Sequence, residues 1–498
     1  MPRLFILAIG GTGSRVLKSL TMLLASGVKS ENTFEIVPVI IDPHIQNKDL
    51  KRTERLLDNY QKITKSVGIE NGFFSTKITT LNNLNDDANI QLGTSFTYNL
   101  NHLNNKKFKE YIDFSFFNPN DPSKDLVELL FSGGSINKTN QRVDLLDLDM
   151  DIGFVGNPNI GSIVLNEFKD SNEFKAIASN FKPGDRIFIV SSIFGGTGAA
   201  GFPTVLKNIR NAANNIATDG GGFLMNSSIG ALTVMPYFNL SPDANSPIKY
   251  ADFISKTRSA LHYYSGSVNS SLNALYYISD DAPGKPLQND PGANGQQNDA
   301  HFIEIAAALS IMDFMNTPDS SLVTNNGIPE STTVKEFAIK NDKTSINFAD
   351  FYPETERQIS KSLSQFALFV KFIEENFEKS VEKNPWSTQE PKLDKQFARN
   401  SFYTTTLNEF KSSFLDWLKE LSNNQRSFAP INFNSDLPTF IDGKVVKKGL
   451  FVKKVDWVYF NDVLNALSNN VDYVSSEQKL IKVFYDSTCK ILEDKYGF

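Results

Sequence analysis

The hydrophobic pattern opens with a short unbroken apolar run, Arg3 to Ile9 (RLFILAI), that stops at glycine and is followed by helically spaced apolar positions from Ser14 to Leu24. The strand signal returns at Phe34 to Ile41 (FEIVPVII) and halts at Asp42-Pro43. Strand, tight turn, helix and strand in that order predict a βαβ unit, and strands buried on both faces read as continuous apolar runs, as these do. Residues 43 to 145 are polar and asparagine-rich, with scattered helical segments, and read as an insertion between strands. The pattern sharpens at Ile152 to Gly161, then predicts a helix over Ser162 to Asn180, a strand over Arg186 to Ser191, a helix over Phe202 to Ala217, and strands over Ile229 to Met235 and Leu275 to Ile278. Gly284 to Gln297 reads as a surface loop before a strongly apolar helix, Ala300 to Met315, expected at the centre of the fold. Beyond Thr317 the composition shifts to Ser, Thr and Asn, then to amphipathic helices at Pro353 to Lys379, Asn400 to Leu421 and Ser476 to Tyr496, with a hairpin at Thr439 to Val452. The expected organisation is an α/β domain over 1–315, a linker or insertion over 316–345, and a mainly helical domain over 346–498.

With 498 residues the chain exceeds what one hydrophobic core usually spans, and 40% hydrophobic against 21% charged residues excludes a disordered chain. The net charge of −6 argues against a general nucleic-acid surface. The basic run Lys444 to Lys448 with Lys453 and Lys454 reads as a lysine-guarded hairpin edge. Cys489 is the only cysteine, which excludes an intrachain disulfide and a thiolate zinc site and suits the cytoplasm. No apolar run approaches the ~20 residues of a membrane span. The four histidines, His44, His102, His262 and His301, show no metal-ligand spacing.

Candidate chemistry lies in the glycines. Gly10-Gly11-Thr12-Gly13-Ser14 falls between a strand and a helix, where glycine lets backbone approach an anion and free amides at the helix start point at it. One such turn uses glycine for geometry as readily as for a ligand. A second, Gly195-Gly196-Thr197-Gly198, follows the strand ending at Ser191. Loops after successive parallel strands converge at the carboxyl edge of a sheet, so both could cradle one polyphosphate, with Thr12, Ser14 and Thr197 adding hydroxyls.

The second motif resembles the tubulin/FtsZ signature G-G-G-T-G-[ST]-G, with Phe194 and Ala199 as departures. Gly153 to Gly161 (GFVGNPNIG) is similar to the FtsZ loop G-A-N-P-E-[IV]-G near the terminal phosphate, and Ala231 to Phe238 to the family strand that ends in a Pro-Phe turn. Asp42 stands where family members carry an acidic loop near phosphates and magnesium, and reads equally as a turn initiator before Pro43. Asn298, His301 and Glu304 are spaced to share a face of the central helix, where the family presents polar or aromatic side chains to guanine. The resemblance covers 1–315 in five ordered motifs and is nearest to divergent bacterial tubulin-like proteins.

That resemblance implies a tubulin/FtsZ-type three-layer α/β fold around a parallel sheet, followed by the helical C-terminal domain. It implies binding of GTP or GDP with Mg²⁺ through Gly10, Gly11, Thr12, Gly13, Ser14, Asp42, Gly156, Asn157, Gly195, Gly196, Thr197, Gly198, Asn298 and His301. It further implies head-to-tail self-assembly, with hydrolysis completed by an acid from the neighbouring subunit. Asp350, in Ser345 to Phe351 (SINFADF), resembles that acid, with a helix cap as the competing reading. Two alternatives stand beside the filament-forming GTPase. One is a non-polymerising scaffold that docks a partner protein through its helical domain. The other is a dinucleotide oxidoreductase, disfavoured because Val16 replaces the third glycine of G-x-G-x-x-G.

Overall fold

The computed structural model describes the chain apart from residues 45, 119, 132–143, 217–218, 239–249, 281–296, 338–342, 447–453 and 470–471. Most of the expected Gly284 to Gln297 loop, and the lysine-rich tip of the expected hairpin, therefore lie outside the described residues.

Six parallel strands form the central sheet: β1 (Arg3–Ile9), β2 (Glu35–Ile41), β3 (Arg186–Ser192), β4 (Ser228–Val234), β5 (Ala274–Ile278) and β6 (Thr333–Glu336). Their spatial order is β2-β1-β3-β4-β5-β6. The chain runs outward from β1 to β2, then returns past β1 to lay down β3, so the winding direction reverses between β1 and β3. A crevice opens outside the carboxyl ends of the strands at such a reversal. The edge strand β6 comes from the stretch expected to be linker. Its sequence, TVKE, is short, polar and half in water, and carries no apolar run to betray it.

Alternation along β1 divides the interior. Leu4, Ile6 and Ala8 enter one core while Phe5, Leu7 and Ile9 enter another. The second core is closed by α3 (Pro158–Leu165), α4 (Gly196–Arg210) and α5 (Tyr250–Ser267). The first is closed by α1 (Gly10–Ala25) and α6 (Phe302–Asn316), the expected central helix, which is apolar apart from Glu304, Ser310, Asp313 and Asn316 and is accordingly buried along most of its length. The helix read as continuous over 162–180 is two helices. Ser171 breaks it by accepting the Phe174 N–H as an N-cap for Asn172–Asn180.

The C-terminal region is largely helical, with α7 (Pro353–Glu375), α8 (Asn408–Asn423), α9 (Trp457–Ser468) and α10 (Ser476–Ile491). These helices do not form a core of their own. Phe366, Phe410, Trp417 and Phe484 join the same buried cluster as Leu4, Leu20 and Leu57. Contact is made through α1 and α2 (Lys48–Val67), the latter held at its start by Asn47 Oδ1 accepting the Asp49 N–H at 2.9 Å. Among the described residues no helix is long and apolar enough to cross a membrane.

At Gly13 and Gly198 packing against the sheet requires glycine. A Cβ on Gly13 would stand 2.5 Å from the Ala8 carbonyl carbon, and one on Gly198 would stand 2.5 Å from the Ser192 oxygen. Both would press on backbone that cannot move without breaking the sheet. Gly13→Ala is expected to destabilise the fold by about 1–3 kcal/mol. A urea midpoint unchanged from wild type would mean that α1 and β1 are free to separate.

Candidate anion site at three uncapped helix starts

The glycine runs are not loops ahead of helices; they are the first helical turns. α1 begins at Gly10, directly after β1, and α4 begins at Gly196. A helix start leaves four backbone N–H groups without intrahelical partners, and a capping side chain normally satisfies some of them. Here Ile9, Gly195 and Asn157, the residues in the cap positions of α1, α4 and α3, provide no side-chain cap, and none of these first turns contains an acidic residue. By contrast α2 and α6 are capped, the latter by His301 Nδ1 accepting the Ile303 N–H at 3.1 Å.

The three uncapped starts come together. A Cβ on Gly10 would lie 3.5 Å from the Thr197 Cβ, and one on Gly196 would lie 2.9 Å from the Gly156 nitrogen and 3.0 Å from the Asn157 nitrogen. Gly10 has φ +70°, and the loop before α3 passes through Gly153 at +81°, Val155 at +40° and Gly156 at +70°. Positive φ at a β-branched residue is strained, and such strain clusters at ligand clamps. The Asn157 amide secures this loop by donating to the Phe154 and Val155 carbonyls at 3.1 and 2.9 Å, so its donors serve the loop. Ser14 Oγ turns back toward the Gly10 carbonyl at 3.4 Å. Gly11, Asn157, Gly195 and Thr197 remain partly exposed at the convergence.

Asp42 is drawn to the same place. It ends β2 buried, accepting the His44 N–H at 3.0 Å and the Asn47 amide at 3.3 Å, and that amide lies 3.2 Å from a Cβ placed on Gly11. Burial pushes its carboxyl up to about 7, against those two donors, with the charge of Asp49 adding to the rise. The folded state therefore keeps a proton that the unfolded chain releases near the ordinary carboxylate value. This stabilisation is fully present below that value and is lost as pH rises to about 7. Asp42→Asn should accordingly leave stability unchanged near pH 4 and raise it at pH 8, by on the order of a few kcal/mol. Denaturation at the two pH values checks this; an equal difference at both would mean that Asp42 does not titrate differently on folding.

The sequence reading named Asn298 and Glu304 but missed Arg15 and Asp49, which join them in a polar cluster behind these helix starts. Arg15 Nε donates to Glu304 Oε1 at 2.8 Å, Nη1 to Asp49 Oδ2 at 3.3 Å, and Nη2 to the Tyr237 hydroxyl at 2.9 Å. Burial pushes the Glu304 carboxyl up to about 7 against the pull of Arg15 and Lys18, and Glu304 Oε2 is buried without a hydrogen bond. Asn298 joins through its amide on Asp49 Oδ2 at 3.0 Å. It precedes α6 rather than lying on it, so it shares no helix face with Glu304. His301 packs its ring 4.8 Å from that of Tyr237, and burial lowers its pKa to about 4, which keeps the imidazole neutral. Charged residues among the apolar positions of a helix, as Arg15 and Lys18 are on α1, were the available signal; the partners of Arg15 are too distant in sequence to infer.

Two further features flank the helix starts. Lys256 of α5 donates to the Gly156 carbonyl at 2.5 Å. A cavity of about 830 Å³ opens beside α3 and α4, with Gly156, Pro158, Phe194 and Gly195 at its head and Lys256 and Tyr263 in its wall. Asp350 serves a cap. Its Oδ2 accepts the Asn347 N–H at 2.9 Å, its Oδ1 accepts from Lys343 Nζ at 3.1 Å, and Asn347 Oδ1 accepts the Ala349 N–H at 3.0 Å. The arrangement as a whole can hold an anion with several oxygens, because three helix starts without side-chain caps or acidic residues meet at the reversal of the sheet. No family model matches this chain, and no curated protein is similar to it.

Proposed function

We propose that the protein binds GTP with Mg²⁺ in the manner of the tubulin/FtsZ superfamily, and that it assembles head to tail with hydrolysis in the assembled state. The observation that carries the phosphate part is the meeting of three uncapped helix starts, at Gly10, Asn157-Pro158 and Gly195-Gly196. These residues would hold the phosphates, and Asp42, buried beside Gly11 at the end of β2, would be the carboxylate that meets a phosphate-bound cation. The polar cluster of Arg15, Asp49, Tyr237, Asn298 and Glu304 offers both donors and acceptors for a base. Guanine and self-assembly rest on the motif resemblance.

A second reading, a nucleotide-gated scaffold that does not polymerise, is favoured by one observation. Both oxygens of Asp350, the acid expected to act on a neighbour, are engaged within its own chain. The two readings separate in a concentration series that follows GTP hydrolysis and pelleting together. A threshold concentration shared by both supports assembly-dependent hydrolysis. Saturable GTP binding with neither supports the scaffold, and absence of any nucleotide binding overturns both.

A further inference from the structure

A second cavity, of about 300 Å³, lies where α1 and α2 meet α8 of the C-terminal region. Its lining contains Lys18, Lys48, Lys51, Arg52 and Arg55 against a single carboxylate, Asp416. Positions 48, 51, 52 and 55 fall on one face of α2, and such a stripe alone would read as a solvated surface. What sets it apart is that α8 closes over it and that Lys18 reaches it from beneath, nine-tenths buried.

The inner wall already holds one anion of the protein's own. Glu420 accepts from Lys18 Nζ at 2.8 Å, from Arg52, and from the Ala300 N–H at 3.0 Å. Despite its burial, these cations hold its carboxyl below the usual range. The compensation is incomplete. Arg52 Nη1 is shut from solvent with no hydrogen bond among the described residues, and an Asp49 oxygen stands 4.0 Å away. Lys51 donates only to the Gln46 amide oxygen at 2.6 Å, and Lys48 and Arg55 have no ion-pair partner among the described residues.

We propose that this cavity binds a compact polyanion carrying two or more phosphate groups, at a site separate from the glycine-opened helix starts. Five cations face three carboxylates, Asp416, Glu420 and, 4.0 Å from Arg52, Asp49, and a multiply charged ligand would meet the remaining charge with charge-assisted bonds. Ligand pockets run from about 300 to 1,000 Å³ and this one stands at the lower limit. It has room for a pyrophosphate-sized group, and its cationic lining selects phosphate over an uncharged ligand. Because Glu420 also anchors the Ala300 backbone at the entry to α6, an anion that draws Lys18 and Arg52 away from it acts on the segment carrying Asn298 and His301.

The test titrates the full-length chain with inorganic pyrophosphate by calorimetry, in wild type and in Thr197→Asp, which places a carboxylate among the helix starts. Saturable binding should survive Thr197→Asp and weaken as salt rises. It should fall at least about tenfold in the doubly reversed Lys48→Glu/Arg55→Glu chain, for the loss of one or two charge-assisted hydrogen bonds. Both of those side chains are exposed, so the fold should be retained, and circular dichroism verifies it. Glu420→Gln, which removes the internal competitor, should tighten binding. Binding that Thr197→Asp abolishes and the double reversal leaves intact would put all phosphate affinity at the helix starts and overturn the proposal. Absence of binding in every variant would overturn it as well.

Discussion

Thr197→Asp should move stability and ligand binding in opposite directions. Thr197 is the second residue of α4, in a first turn that has neither a side-chain cap nor an acidic residue. A carboxylate there answers free N–H groups and the positive end of the helix, and should stabilise the ligand-free protein by about 0.3–1 kcal/mol. The same charge would occupy the meeting point with Gly10 and repel any phosphate. Losing two charge-assisted hydrogen bonds corresponds to at least about a hundredfold weaker GTP binding. Thermal melting without ligand, set beside GTP titration, reads both effects. Lower stability together with unchanged affinity would mean that the α4 start is already satisfied within the protein, and the anion site would have to be abandoned.

Trp417→Ala should give the largest loss of stability, about 3–5 kcal/mol. Trp417 is fully buried on α8, with its ring 5.9 Å from Phe414, and its Nε1 donates to Ser19 Oγ of α1 at 3.1 Å. Truncation would leave a large void between α8 and α1 and strip the Ser19 hydroxyl of its donor. Trp417→Phe retains most of the packing and should lose only about 0.5–1.5 kcal/mol for the hydrogen bond. Urea denaturation followed by circular dichroism separates the two. If the alanine variant lost less than the phenylalanine variant, the contact between α8 and α1 would not hold the region together.

The five strands β1 to β5 could be read in advance because parallel strands covered on both faces are nearly continuous apolar runs, whereas β6 is polar and exposed and gave no such signal. Glycine marked where α1 and α4 begin but suggested loops, since helix starts are recognised by Ser, Thr, Asp or Asn and these have none. α2 was left unplaced among the scattered helical segments of a polar stretch, although Asn47 with Leu50, Leu56, Leu57 and Ile63 spells a capped amphipathic helix. For the candidate site, the sequence pointed to the residues the helix starts bring together: Gly10 to Gly13, Asp42, Gly156, Asn157 and Gly195 to Gly198. It could not reveal that Arg15 joins Asp49 and Glu304, because pairings across 34 and 289 positions leave no local pattern.

The single buried cluster that runs from the strands through α7, α8 and α10 bears on how the gene can be cut. A fragment ending near residue 345 would display Leu20, Leu57, Phe73 and Phe74 as a broad greasy face and would be expected to accumulate in inclusion bodies. Limited digestion of the intact protein should for the same reason release no long-lived amino-terminal half. The carboxyl-terminal helices are thus not an appendage that recombination could shuffle onto another protein; they are the lid of the same box.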